Sequence, residues 1–208
     1  MPRNESLFEA ICKGDRNAVT ELVQKALEGA EHAVDLLNDS MIPAMREMGD
    51  RFSRSEVYVP DMLIAARAMQ SGLDLLAPEL ASSGHKSVAK VCIGTVKGDL
   101  HDIGKNLVAM MLKGAGYEVI DLGVDCDVSQ FQQAVDEGAN AVLCSALLTT
   151  TMPYMKSVVE HFKERPDVKV VIGGAPVTEQ YAEEIGADGY GPDANQAVKV
   201  LDSCVKAS

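Results

Sequence analysis

Residues 88–106 read VAKVCIGTVKGDLHDIGKN: an apolar run that stops at Val96, then a loop with His101 set between Asp99 and Asp102. The run has the length and β-branched content of a strand buried on both faces, and from about 104 to 114 the apolar residues recur at helical intervals instead. The same alternation repeats downstream. Apolar runs at Tyr117–Leu122, Ala139–Ser145 and Val168–Ile172, with a shorter one at Ala187–Tyr190, predict four further strands. Helical patterns at about 129–137, 153–164, 177–184 and 194–205 separate and follow them.

Five strands alternating with five helices predict an α/β fold built on a doubly wound parallel sheet. Right-handed crossovers make 2-1-3-4-5, the flavodoxin-like or Rossmann-like order, the economical arrangement. Upstream the grammar differs. Glu21–Leu27, His32–Leu37 and Met62–Met69 repeat apolar residues every three or four positions, punctuated by Gly29, Gly49 and Pro60, and no strand pattern intervenes. About four helices forming a small bundle are expected there. The small, polar stretch Ala81–Lys86 reads as a linker, which divides the chain into a helical part, 1–86, and a sheet part, 87–208.

Composition narrows the function. The chain of 208 residues is 47% hydrophobic and 24% charged, enough to bury a core, and its formal charge of −12 disfavours nucleic acid because no basic excess offsets phosphate repulsion. No apolar window is long enough to span a bilayer, and the N-terminus MPRNESLFEAICKGD lacks the apolar core of a signal peptide, so a cytoplasmic location is expected. Cys12, Cys92, Cys126, Cys144 and Cys204 are widely spaced and never form a C-x-x-C pair; they read as reduced, mostly buried thiols rather than a disulfide framework or a zinc or iron–sulfur site.

Doubly wound sheets bind ligands beyond the carboxyl ends of their strands, where the strand order reverses. Asp99, His101 and Gly104 follow strand 1, and Ser145, Thr149 and Thr151 follow strand 3, so the two loops are expected to face each other there. Gly173-Gly174 and Gly189-Tyr190-Gly191 extend the same edge with positions that a ligand can approach closely. His101 could simply orient a turn. Nucleophilic catalysis lacks a G-x-S-x-G elbow, dinucleotide binding lacks the close glycine spacing, and a phosphorylation receiver lacks its acidic pair and strand 3 aspartate. A metal ligand backed by a carboxylate fits better, since the carboxylate fixes the tautomer and raises basicity. One histidine holds no metal ion alone, so the metal would have to arrive in a macrocycle.

Asp99-x-His101-x-x-Gly104, Ser145-x-Leu147 and Gly173-Gly174 resemble, in letters and intervals, the D-x-H-x-x-G, S-x-L and G-G signature of cobalamin-binding domains. Such domains occur in methionine synthase and in the corrinoid proteins of methylamine, methanol and betaine methyltransferase systems. The helical half is similar to the family's methylcobalamin cap through Met48–Phe52, Tyr58–Leu63 and Ala65–Met69. The resemblance implies a corrinoid cofactor, methylcobalamin or a related cobamide, with His101 as the lower axial cobalt ligand in place of the cofactor's own base. It implies a proton relay of Asp99 and Thr151, the latter standing where the family has serine. Gly104, Ser145, Leu147, Thr149, Gly173, Gly174, Tyr190 and Gly191 would bind the cofactor, Ser145 and Thr149 at the displaced base and the Gly173-Gly174 pair along its tunnel. Phe52 and Val59 would cover the upper face. Thr150 replaces a proline of some relatives.

The function so implied is that of a methyl carrier, which accepts a methyl group on cobalt through a substrate:corrinoid methyltransferase. It would pass the group to a second methyltransferase, one that serves tetrahydrofolate or a thiol acceptor, with a reductive activase as third partner. Methylamines or quaternary amines are the favoured donors. The alternative is a cobalamin-dependent regulator or sensor, which would need an output segment. Other features invite plainer readings. Met41, Met45, Met48, Met62 and Met69 read as core; Asp127 reads as the N-cap of a helix starting near Val128, and Asp121 and Asp125 as surface acids. His32, His85 and His161 read as polar surface positions.

Overall fold

Short polar side chains start the first helices. Asn4 caps α1 (Glu5–Cys12) by accepting Leu7 N–H, and Asp15 caps α2 (Arg16–Glu28) by accepting Ala18 N–H. A single turn, α3 (Ala33–Asp35), runs on through a π-helical stretch at Leu36–Met41 into α4 (Ile42–Ser53). The helix α5 (Val59–Ser82) begins with Pro60 in its first turn, and Asp61 Oδ2 accepts Tyr58 N–H at 2.8 Å. Gly49 does not punctuate this part as its residue type suggests: it is buried inside α4, and the chain turns only at Arg54, ahead of Ser55 at φ +58°. Met41, Met45, Met48, Met62 and Met69 are each at most 2% exposed, so they are core, filling the irregular spaces between the helices.

This computed structural model describes residues 3–84 and 86–206, so His85 in the expected linker lies outside the described residues. The chain divides into two units, one of residues 1–87 with 114–116 and the other of residues 88–113 with 117–208.

In the second unit the apolar runs form β1 (Lys90–Val96), β2 (Glu118–Cys126), β3 (Ala141–Ser145), β4 (Lys169–Gly173) and β5 (Gly189–Gly191). All pair in parallel, in the order β2-β1-β3-β4-β5. Between and after them come α6 (Ile103–Gly114), α7 (Val128–Asp136), α8 (Tyr154–Phe162), α9 (Glu179–Ile185) and α10 (Ala194–Lys206). Cys92, Val96, Val142, Cys144, Val170 and Ile172 pack on Phe131, Val158 and Ile185 of α7, α8 and α9 to form one core layer. Covered strands explain why β1 reads as an unbroken apolar run. Asp127 does cap α7, accepting Ser129 N–H at 3.0 Å.

Boundaries shift where the periodicity is silent. Val88 is 47% exposed, and β1 begins only at Lys90. The largest difference is β2, which runs to Cys126 instead of ending at Leu122. Its register slips against β1: Ile93 faces Asp121, Gly94 faces Gly123, and Val96 faces Cys126. Extra residues on β2 are taken up as bulges, with Gly123 at φ +81° and Asp125 at φ +55°. A strand that bulges twice loses the period of two that identifies it in a sequence. Among the described residues no helix is long and apolar enough to cross a membrane.

Candidate functional site

Asp99 is the centre of the site. It follows the end of β1, is 0% exposed, and each of its oxygens is saturated with donors. Oδ1 accepts His101 Nδ1–H at 2.7 Å and His101 N–H at 3.1 Å. Oδ2 accepts the Thr151 hydroxyl at 2.7 Å and the backbone N–H groups of Leu147 at 2.8 Å and Leu148 at 3.2 Å. One carboxylate thus ties the loop after β1 to the loop after β3, across the point where the strand order reverses. Burial works to raise its pKa, but hydrogen bonds from Thr151, Leu147 and His101 outweigh it and hold the carboxyl well below the ordinary carboxylate range.

The imidazole of His101 is half exposed, with Nδ1 engaged by Asp99. Among the described residues Nε2 has no hydrogen-bond partner. With the proton on Nδ1, facing a carboxylate, the lone pair lies on Nε2, the form in which an imidazole ligates a metal. Four exposed apolar side chains lie on the loops that carry it and the partners of Asp99. Leu100 (71% exposed), Ile103 (78%), Leu147 (45%) and Leu148 (41%) come from the same two loops and from the first residue of α6. Exposed apolar side chains on the two loops beside a half-exposed imidazole fit a largely apolar partner. Among the described residues no cluster of three His, Cys, Asp or Glu side chains could hold a bare metal ion, and the donor set suits a metal brought in a macrocycle. Gly104 adds room, because a Cβ there would meet nothing within 4 Å.

The remaining expected positions fall as follows. Ser145 ends β3 directly beside Gly173 of β4, and Gly173 pairs in turn with Gly191 of β5. Tyr190 is half-buried in β5, and Thr149 is exposed on the turn after β3. Gly174, at φ +127°, is glycine for a local reason: a Cβ would overlap the Ala146 carbonyl. Phe52 near the end of α4 and Val59 at the start of α5 belong to the helical unit, both half-buried. The thiols take no part. Burial pushes Cys92 up to about 12 and Cys126 up to about 11, and raises Cys144 well above the ordinary thiol value, which keeps all three protonated at neutral pH.

Three contributors are not legible in the sequence pattern. Thr95, 0% exposed at the end of β1, donates its hydroxyl to the His101 carbonyl at 2.8 Å. Lys105 is 2% exposed in α6 and is paired with Asp121 of β2 and with Asn106 Oδ1. Asp125, exposed near the end of β2, accepts Gly98 N–H at 2.7 Å. The one available signal for the last was Gly123 inside a strand, which marks a bulge.

Residues 89–199 and residues 3–77 each match a family described as a B12 binding domain. The chain is 40% identical over 205 residues to a corrinoid protein of Desulfitobacterium hafniense (strain Y51), with 95% of both chains covered. It is 42% identical over 196 residues to the trimethylamine corrinoid protein of Methanosarcina barkeri, covering 91% of this chain and 90% of that one. Among solved structures, a cobalamin-binding protein from Desulfitobacterium hafniense DCB-2 aligns with a TM-score of 0.79 at 33% identity, covering 95% of this chain and 96% of that one. A chain of the methanol:cobalamin methyltransferase complex of Methanosarcina barkeri aligns with a TM-score of 0.85 at 29% identity, covering 98% of this chain and 79% of that one. The family matches take in the helical half as well as the sheet that carries His101, and the chain therefore belongs to the B12-binding corrinoid proteins, with a corrinoid as its cofactor.

Proposed function

We propose that this protein is a methyl carrier in which His101 is the lower axial ligand. The observation that carries the reading is the His101–Asp99 pair, with Nε2 open toward an apolar rim. When bound, the corrinoid supplies a cobalt centre that takes up a methyl group and gives it away. The protein's part is control of the ligand. Asp99 Oδ1 keeps the proton on Nδ1 and the lone pair on Nε2, the atom that would hold the cobalt, and Asp99 with Thr151 would form the proton relay beside it. Thr151 and the N–H groups of Leu147 and Leu148 hold that carboxylate in its charged form. With a corrinoid in place, Leu100, Ile103, Leu147 and Leu148 would shield the imidazole from water.

In the same reading Ser145 and Thr149 contact the displaced base, and Gly173, Gly174, Tyr190 and Gly191 bound the channel for the nucleotide tail. Gly104 leaves space beside His101. Phe52 and Val59 shield the upper face. Partners are a substrate:corrinoid methyltransferase, a second methyltransferase that passes the group to tetrahydrofolate or a thiol, and a reductive activase. Relatives named for trimethylamine and dimethylamine support a methylated amine as donor. Because activation requires a strong reductant, the reading sets the exchange in the cytoplasm.

The test is direct. Protein reconstituted with cobalamin and reduced is offered methylamines, quaternary amines and methanol, each with a candidate methyltransferase, and methylation is followed by visible absorbance. At least one pairing methylates the protein stoichiometrically, and a second methyltransferase reverses the change. A stably loaded protein that no pairing methylates contradicts the carrier reading.

A further inference from the structure

Asp125 stands out because it occupies a backbone conformation that L residues rarely adopt, φ +55°, at an exposed position in the second bulge of β2. Both of its polar ends are spent on two consecutive residues of the loop after β1, Gly98 and Asp99. Its carboxylate accepts Gly98 N–H at 2.7 Å, and its own N–H donates to the Asp99 carbonyl at 3.0 Å. Gly98 is left-handed too, at φ +83°. The bulges in β2 therefore bring the end of the edge strand into a two-bond clasp on Gly98–Asp99.

The clasp completes a three-sided support. Side-chain bonds to Asp99 come from the β3 loop, Thr95 of β1 holds the His101 carbonyl, and Asp125 holds the Asp99 backbone from the β2 side. Among the described residues the ring of His101 has one hydrogen-bonding partner, Asp99, so a shift of the Asp99 carboxylate reaches the ring. We propose that Asp125 is a positioning residue for the lower ligand, fixing the direction in which His101 presents Nε2 by holding the two residues Gly98 and Asp99 from both ends, at the Gly98 N–H and the Asp99 carbonyl. The inference rests on the lower-ligand reading of His101.

Three variants separate the parts of the clasp. Asp125→Asn keeps an acceptor and a residue type that tolerates left-handed backbone. Asp125→Gly keeps the backbone conformation and removes the acceptor, and Asp125→Ala serves as a second loss variant, with thermal melts verifying folding. In the cofactor-free protein, nitrogen-15 spectra of the histidine rings read the His101 Nδ1–H bond. Exchange of that proton should rise about tenfold in Asp125→Gly, the scale of one hydrogen bond to a charged acceptor, and stay at the wild-type rate in Asp125→Asn. In the loaded cobalt(II) protein with nitrogen-15 histidine, paramagnetic resonance counts the centres coupled to a protein nitrogen. The ratio of bound to unbound histidine should fall about tenfold in Asp125→Gly and be restored in Asp125→Asn. Wild-type exchange in folded Asp125→Gly and Asp125→Ala overturns the positioning role. A wild-type spectrum that histidine labelling leaves unchanged overturns the lower-ligand reading instead, and the cofactor-free arm still decides the clasp.

Discussion

A single buried carboxylate organises this site, and its energetics follow from its donors. Asp99 gives up all contact with water, which on its own would favour the neutral acid, yet the hydrogen bonds on its oxygens keep it charged. Thr151 is the one side-chain hydroxyl among these donors, 2.7 Å from Oδ2. Replacing Thr151 by the isosteric Val should cost about 1–3 kcal/mol in urea unfolding at pH 7, whereas Thr151→Ser should stay close to wild type because the donor survives. The cost has a pH signature. The folded-state pKa of Asp99 lies below its unfolded value of about 3.9, so its stabilisation is complete above that value and is lost as pH falls through the folded-state pKa. The difference between Thr151→Val and wild type should therefore shrink in strong acid; a difference that is constant with pH would mean that Thr151 acts by packing rather than through the charge on Asp99.

Loops at the carboxyl edge of the sheet differ in how much room their glycines leave. Gly174 closes tightly on the Ala146 carbonyl at a φ that side chains avoid, so a side chain there strains the β3–β4 edge before it reaches any ligand. Gly104, in the first turn of α6, faces open space. The two positions make opposite predictions. Gly174→Ala should lower the unfolding free energy by about 1–3 kcal/mol even without cofactor, the usual scale of overpacking. Gly104→Leu should leave the stability of the cofactor-free protein within about 1 kcal/mol of wild type, since it replaces a poor helix former at an exposed position. It should nonetheless reduce cobalt retention below a tenth of wild type. Full retention by folded Gly104→Leu would remove Gly104 from the binding surface.

Across the whole molecule, the helical unit and the sheet unit are built by different rules. The first is a methionine-rich helical core and the second a covered parallel sheet. Methionine suits an assembly of short helices with a π-helical stretch, because its flexible side chain fills uneven gaps. Phe52 and Val59 flank the turn between α4 and α5, where the backbone reverses through Ser55. If these residues shield the upper face, Phe52→Ala should accelerate loss of the methyl group under light several-fold relative to wild type, measured as the decay of the methylated absorbance band. Equal decay rates in the two proteins would take Phe52 out of the shield.

How much could be read in advance depends on what periodicity records. Faces and lengths are local properties, so the alternation of runs and helices was enough to establish the sheet, its order and the loops that meet at its edge, and a spacing of two residues was enough to pair Asp99 with His101. Only the tertiary structure decided what lies across that edge. Oδ2 of Asp99 is satisfied from residues 48 and 49 positions away, by backbone N–H groups that no side-chain pattern encodes. The bulges of β2 hid the strand's last residues and with them Asp125, because each extra residue breaks the period of two just where the chain is bent toward Gly98. Likewise Gly174 is legible as a glycine, but the reason for it, a carbonyl 28 residues earlier, exists only once β3 and β4 lie side by side. The sequence by itself determined that Asp99, His101 and Thr151 gather at one edge of the sheet; close approach between distant segments, set by strand pairing and desolvation, decided what holds them in place.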